Sequence, residues 1–323
     1  MRAVQVSEAG GPEVLAVVDA PDPAPAAGEV LVDVAAAGVN YIDTYQRQGI
    51  YPMTMPYIAG LEGAGRVAAL GDGVTGVEVG DRIAWAETLG SYAERVSVPV
   101  DMSVPVPGGV SDEQAVGALL QGMTAHFLIS DTFPLRGGET VLVHAAAGGV
   151  GLLLTQLAAA RGTRVIATVS TPEKEELARA AGAAEVIRYT EVEDLAGAVR
   201  ELTGGHGVDA AYDSVGKTTF DASLASLRRR GMLVLYGAAS GPVPPVDPQR
   251  LNSAGSVFLT RPKLFDHIAT TDELRTRAAA VYGAVADGSL DVRIGHRYPL
   301  DQARTAHEDL QARRTTGKLL LLP

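Results

Sequence analysis

Up to about residue 110 the apolar positions fall in short alternating or unbroken runs: Val4–Val6, Leu15–Val18, Val30–Ala35, Ala64–Leu70, Arg82–Trp85 and Ala93–Val98. A period of two sends successive side chains to opposite faces, so runs of this length read as strands with one face on a core. Turn residues such as Ala9-Gly10-Gly11-Pro12 and Gly71-Asp72-Gly73 separate them, which predicts a small barrel or sandwich. The rhythm changes at Ser111-Asp112-Glu113-Gln114, a hydroxyl with an amide three residues on, which starts a capped helix. From Thr140 strands and helices alternate: strand Val141–His144, helix Val150–Arg161, strand Arg164–Val169, helix Glu173–Ala181, then strands Glu185–Tyr189, Val208–Asp213 and Met232–Tyr236. Such a series predicts a doubly wound parallel sheet with helices on both faces. The tail from about Lys263 adds a helix and two strand-like pieces, Val292–Pro299 and Lys318–Leu322. It is too small for a third core and is expected to pack back on the first domain.

Length and charge narrow the function. At 323 residues the chain exceeds the size at which one core keeps growing, so two domains are expected. A net charge of −11 repels phosphate backbones and anionic lipid, which disfavours nucleic acid and membrane as partners. The basic run Arg228-Arg229-Arg230 is expected to be a solvated helix end before Gly231. With no cysteine there is no disulfide, thiolate nucleophile, iron–sulfur cluster or cysteine-based zinc site. The N-terminus alternates like a strand and lacks an apolar signal core. The apolar stretch Val150–Leu154 is broken by Thr155 and Gln156, far short of a bilayer span. A cytoplasmic protein acting on a small molecule is expected.

The densest chemical signal is Val141-Leu142-Val143-His144-Ala145-Ala146-Ala147-Gly148-Gly149-Val150-Gly151-Leu152. A buried strand runs into a small-residue turn and opens a helix. A pyrophosphate approaches bare backbone N–H groups at such a helix start, here over Ala147, Gly148, Gly149 and Val150, and larger side chains would block it. Gly151 lets the helix close on the strand, and Ala146 replaces the first glycine of the usual G-x-G-x-x-G pattern. An NAD site carries an acid at the end of the next strand, to hold the ribose 2′-hydroxyl. That strand ends here in Val169-Ser170. Thr171 then caps a helix with Pro172 at its first position. Glu173 and Glu175 complement the dipole in the first turn, whereas Lys174 there calls for an anion, which a 2′-phosphate would supply. The cofactor expected is NADPH.

Taken together these segments are similar to the zinc-independent quinone oxidoreductases of the medium-chain dehydrogenase/reductase superfamily, the group that includes zeta-crystallin. The resemblance runs over essentially the whole chain. It rests on Gly38–Pro52, Pro56–Val67, His144–Gly151, Tyr212-Asp213-Ser214-Val215-Gly216 and Thr260-Arg261-Pro262. It implies an α/β protein with a GroES-like β-barrel-type catalytic domain, residues 1–121 and 262–323, and a Rossmann NADPH-binding domain, residues 122–261. Substrate would enter between them. Zinc-dependent alcohol dehydrogenases carry Cys where Asn40 stands and His where Leu61 stands, so the resemblance implies no metal. Without a Lewis acid a conjugated acceptor is favoured, because its π-system spreads the charge that hydride delivers.

The resemblance also implies roles. Asn40 would touch nicotinamide or the substrate carbonyl, Asp43 and Tyr51 would line the substrate side, and Arg47 would order that segment. Thr124 would approach the nicotinamide ribose or pyrophosphate. Ser170, Lys174 and Tyr189 would hold the 2′-phosphate end, Ser214 belongs to the cofactor half, and Tyr236, Phe258 and Thr260 would lie near nicotinamide. Lys318 carries little weight, since the family varies there. No residue stands out as a general acid, which leaves water as the proton source. His144 reads as a satisfied core residue, and Gly216-Lys217-Thr218 as a helix start rather than a phosphate loop. The strand Ser256–Leu259 could pair across a two-fold axis, giving a homodimer. The function expected is NADPH-dependent hydride transfer to quinones. Reduction of enones, enals or enoyl thioesters is the first alternative, and non-enzymatic NADPH binding, crystallin-like or RNA-binding, the second.

Overall fold

Alternation makes the first strands. In β1 (Arg2–Val6) Ala3, Val4 and Val6 are buried and Arg2 is exposed, and the strand pairs antiparallel with β2 (Leu15–Asp19). β3 (Glu29–Val39) outruns its sequence signal, because Ala36, Ala37 and Val39 continue the buried positions beyond Val34. The helix α1 (Tyr41–Arg47) follows, then β4 (Tyr57–Ile58), β5 (Glu62–Leu70), β6 (Arg82–Trp85), β7 (Arg95–Pro99), β8 (Ser103–Pro105) and α2 (Asp112–Phe127). α2 opens with the expected reciprocal cap: Gln114 N–H donates to Ser111 Oγ at 3.1 Å, and Ser111 N–H to Gln114 Oε1 at 3.0 Å. Next come β9 (Thr140–Val143), α3 (Gly149–Ala160), β10 (Arg164–Val169), α4 (Pro172–Ala180), β11 (Glu185–Arg188), α5 (Leu195–Leu202), β12 (Val208–Asp213), α6 (Phe220–Ser226), β13 (Leu227–Leu235), α7 (Pro248–Ser253) and β14 (Phe258–Thr260). The tail holds α8 (Thr271–Ala286), β15 (Ile294–Pro299), α9 (Ala303–Gln311) and β16 (Lys318–Leu322).

The computed structural model describes all 323 residues, which divide into two units, Met1–Met123 with Ile268–Pro323, and Thr124–His267. In the first, a seven-stranded sheet runs β15-β16-β3-β5-β6-β8, with β7 also on β3. The tail strand β16 pairs with Ala37–Val39 and β7 with Glu29–Asp33 of the same strand. Valines of β3 and β7, Trp85, and Leu319 and Leu321 of β16 share its core. In the second unit six strands, all parallel, run β11-β10-β9-β12-β13-β14. Leu142, Ile166, Phe220 and Leu233 are among its core residues. The Arg228–Arg230 run departs from expectation. It lies in β13 rather than at a helix end, with Arg230 at φ 59° and Arg228 Nε 2.6 Å from Asp209 Oδ1.

A buried polar chain seats α1. Arg47 is 1% exposed and His307, on α9, is fully buried. Arg47 Nη1 lies 3.1 Å from His307 Nδ1. A guanidinium only donates, so Nδ1 accepts and the imidazole proton sits on Nε2. Nε2 faces the Tyr92 hydroxyl at 3.2 Å, which donates to Asp43 Oδ2 at 2.7 Å. Arg47 also donates to the Gly10 carbonyl and to Gln311 Oε1. All donors therefore point one way, from Arg47 to Asp43. Burial, with the Arg47 charge alongside, pushes His307 down to about 3. Burial pushes Asp43 up to about 6, against its hydrogen bonds from Tyr92 and the Asn40 backbone. Since a guanidinium does not release its proton, the chain is a clamp and not a proton wire.

A histidine kept neutral by folding contributes stability above its ordinary value of 6.5, and that contribution is lost as pH falls toward its folded value of about 3. Glutamine at this position can accept from Arg47 and donate to Tyr92 without titrating. The stability advantage of wild type over His307→Gln should therefore shrink by about 3 kcal/mol between pH 7 and pH 4 in urea titrations. Parallel curves would show that His307 is not held neutral.

Candidate functional site

β9 is where the sheet changes direction: β10 and β11 follow on one side of it, β12, β13 and β14 on the other. In an open parallel sheet a crevice forms beyond the carboxyl ends of the strands at such a switch. Here β9 runs into the small-residue turn and α3. The α3 N-cap is Gly148, which has no side chain to satisfy the first N–H groups of the helix. Ala145 adopts φ 50°, turning the chain out of the strand, and its carbonyl accepts from Gly148 N–H at 2.9 Å. A Cβ on Gly151 would strike the Ala145 carbonyl and the Ala146 backbone, so any larger residue would lift α3 off the turn.

A buried cluster holds this turn from below. Asp213 Oδ1 accepts from the N–H groups of Val215 and Gly216 at 2.8 and 2.9 Å, and Oδ2 from Ser223 Oγ at 2.7 Å. Ser223 Oγ lies 2.9 Å from His144 Nε2, and His144 Nδ1 lies 2.9 Å from Thr168 Oγ1. Ser223 spends its proton on Asp213, so Nε2 donates to it and Nδ1 accepts from Thr168. Burial lowers the His144 pKa against the opposing charge of Asp213. Although Ser, His and Asp meet here, the acid holds the serine rather than the histidine and none of the three reaches solvent. They are scaffolding for the turn and not a nucleophilic triad.

The expected cofactor residues of this unit fall along one rim. Ser170 follows β10, Tyr189 follows β11, Ser214 follows β12 and Tyr236 follows β13, each just past the carboxyl end of its parallel strand. Thr260 ends β14. The Tyr189 N–H donates to the Val169 carbonyl at 3.1 Å and Thr190 Oγ1 to the Ser170 carbonyl at 3.1 Å, which holds the ends of β10 and β11 side by side. Thr171 caps α4 by accepting from Lys174 N–H at 3.3 Å, so Lys174 is in the first turn. Tyr236 N–H donates to the Asp213 carbonyl at 2.9 Å. Burial raises the Tyr236 phenol, opposed by its hydrogen bond with Ser214. Phe258 lies two residues short of the carboxyl end of β14 and is 57% exposed. Thr124 is buried on α2.

In the first unit Asn40 precedes α1, and its N–H donates to Asp43 Oδ2 at 2.8 Å. Its amide is committed on every side. Nδ2 donates to the Gly38 carbonyl at 3.3 Å and to Glu62 Oε2 at 3.1 Å, while Oδ1 accepts from Lys318 Nζ at 2.9 Å and from Gln121 Nε2. Lys318 and Glu62 form an ion pair with side-chain exposures of 2% and 0%. Glu62 Oε1 also accepts from Leu120 N–H at 2.9 Å. Asn40 thus has no hydrogen-bonding group to offer a substrate without giving up one of these partners. Asp43 Oδ1, by contrast, has no partner. Tyr51 is 42% exposed, its ring set edge-on to Tyr45 at 5.6 Å.

Lys318, Glu62 and Gln121 are not among the residues expected from the sequence. A lysine opening a strand of leucines looks like a solvated strand end. The usable signal was Glu62, an acid inside the apolar run Ile58–Val67, which needs a buried cation. Zinc does not fit here. Leu61 is a buried hydrocarbon, the Asn40 amide is saturated, and no three His, Asp or Glu side chains converge to hold a metal ion.

Comparison with known proteins agrees with this layout. Residues 26–108 match the family model described as alcohol dehydrogenase GroES-like domain, and residues 149–280 the one described as zinc-binding dehydrogenase. A quinone oxidoreductase of Pseudomonas aeruginosa is 45% identical over 100% of this chain and 99% of its own length. A mycobacterial structure complexed with NADPH superposes with a TM-score of 0.97 at 54% identity, covering 100% of both chains. The Escherichia coli quinone oxidoreductase complexed with NADPH gives a TM-score of 0.97 at 40% identity, again over 100% of both. With a parallel sheet, a glycine turn at its switch point and relatives matched end to end, the chain belongs to the quinone oxidoreductases of the medium-chain dehydrogenase/reductase superfamily.

Proposed function

We propose that this chain is an NADPH-dependent reductase that delivers hydride to quinones and related conjugated carbonyls without zinc. The single observation behind it is the rim of polar and small residues beyond the carboxyl ends of β9 to β14, in a chain whose NADPH-complexed relatives match it over their whole length. Bound NADPH would supply the hydride. The chain would hold its pyrophosphate at the small-residue turn Ala147–Val150, through the bare N–H groups of Ala147, Gly149 and Val150 beside Gly148, whose own N–H is held by the Ala145 carbonyl, and its 2′-phosphate with Ser170, Lys174 and Tyr189. Ser214, Tyr236 and Thr260 continue the rim toward the nicotinamide end, to which we also assign Thr124. Asp43 and Tyr51 line the substrate side, and water provides the closing proton. No helix is long and apolar enough to cross a membrane, and we further propose a cytoplasmic site of action, where reduced nicotinamide is regenerated. Nucleic acid is not a partner on this reading, given the net charge of −11.

The direct test is NADPH consumption against naphthoquinones, benzoquinones, enals and enoyl thioesters. Quinones should be turned over fastest, and dialysis against EDTA should leave the rate unchanged. Fastest turnover of enals or thioesters would favour the neighbouring reductase class, and binding without turnover a non-enzymatic role.

Lys174 should read the 2′-phosphate through a charge-assisted hydrogen bond of roughly 1.5–3 kcal/mol. In titrations, Lys174→Ala should weaken NADPH by about one to two decades and NADH hardly at all. Equal losses for both cofactors would remove Lys174 from that role.

A homodimer is the proposed assembly. β14 is the open edge of its sheet and carries the exposed Phe258 ring, so a second copy could pair strand to strand about a two-fold axis. Light scattering should give a dimer for wild type and a monomer for Phe258→Asp, whereas an unchanged mass would move the interface elsewhere.

A further inference from the structure

We propose that Lys318 and Glu62 are positioning residues for the reduction, acting through Asn40, an inference that rests on the reductase reading above. Their side chains are 2% and 0% exposed. A buried pair of this kind is weak as a source of stability, since packed hydrocarbon of the same volume serves as well or better. What it provides here is a unique orientation. An amide turned by 180° keeps its shape and exchanges donor for acceptor. Turning Asn40 would set its N–H groups against the Lys318 ammonium and its oxygen against the Glu62 carboxylate, so the charges permit only the arrangement seen. The cluster satisfies Asn40 in full, on both amide hydrogens and both oxygen lone pairs, while Gln121 Oε1 is left without a partner.

The geometry of the backbone has made room for the pair. A Cβ on Gly38 would collide with the Glu62 carboxylate and the Lys318 ammonium, so β3 approaches them as bare chain. Four separate parts of the sequence are tied at one point: the end of β3 at Asn40, the start of β5 at Glu62, α2 at Leu120 and Gln121, and the start of β16 at Lys318. Asn40 leads directly into α1, whose Asp43 holds its N–H. The orientation imposed on one amide thereby fixes where the substrate-side segment, Asn40 to Tyr51, begins.

The test removes the charges and keeps the volume, in Lys318→Met combined with Glu62→Gln. With a benzoquinone as acceptor, kcat should fall roughly ten- to a hundredfold, while the KM for quinone and the fluorescence-measured affinity for NADPH stay near wild type. Asn40→Ala should lower kcat and the unfolding midpoint in wild type, and neither any further in the charge-free background, because the effect it removes is already gone. Should the double variant fail to fold, Lys318→Gln combined with Glu62→Gln removes both charges, leaves no buried ion unpaired and keeps the acceptor for Leu120, and the same coupling with Asn40→Ala is read there. Wild-type kcat in the charge-free protein, or additive effects of Asn40→Ala on kcat and melting, would overturn the proposal. A wild-type enzyme that consumes no NADPH with any quinone would instead bring down the reductase reading on which it stands.

Discussion

A charge taken out of water has to be met by the protein itself, and in the first unit that requirement converges on the Lys318–Glu62 pair. The ammonium needs acceptors and the carboxylate needs donors, and they find them in Asn40 and the Leu120 N–H group. Those contacts come from four segments far apart in the chain, so the pair can be satisfied only when all four are in register. The Arg47–His307–Tyr92–Asp43 chain obeys the same rule a few residues further on, seating the other end of α1. The segment expected to face substrate is therefore held at both ends by groups that cannot be left half-paired.

The second unit solves a different problem. Six parallel strands wound in two directions from β9 leave a crevice at their carboxyl ends. A helix there starts with unsatisfied N–H groups, and nothing larger than alanine stands over them from Ala145 to Gly149. An anion is the natural complement of such a helix end. Asp213, Ser223, His144 and Thr168 keep the turn rigid from inside the sheet, all of them buried. Rigidity below and bare backbone above are what a diphosphate would require.

Much of this was legible from the chain. β6, β10, β12 and β16 begin and end where the apolar runs do, since a strand buried on one or both faces writes its limits in its own residues. The glycine turn was legible for the same reason: backbone approach demands small residues locally. What escaped was non-local. β3 runs on past Val34 to Val39 through alanines and a glycine, which carry little pattern of their own. The Arg228–Arg230 run looked like a helix end because three successive charges break alternation, yet Arg228 is held by Asp209 and Arg230 turns the chain at φ 59°. Lys318 meets Asn40 across 278 positions and Glu62 across 256, and no local pattern records a partner at that distance.

On the proposed function the start of α3 would receive the cofactor's diphosphate, and hydrogen–deuterium exchange reads that backbone directly. Added NADPH should slow exchange over residues 145–152, with further slowing over 170–175. Unchanged exchange at the glycine turn under saturating NADPH, or protection confined to other parts of the chain, would contradict it.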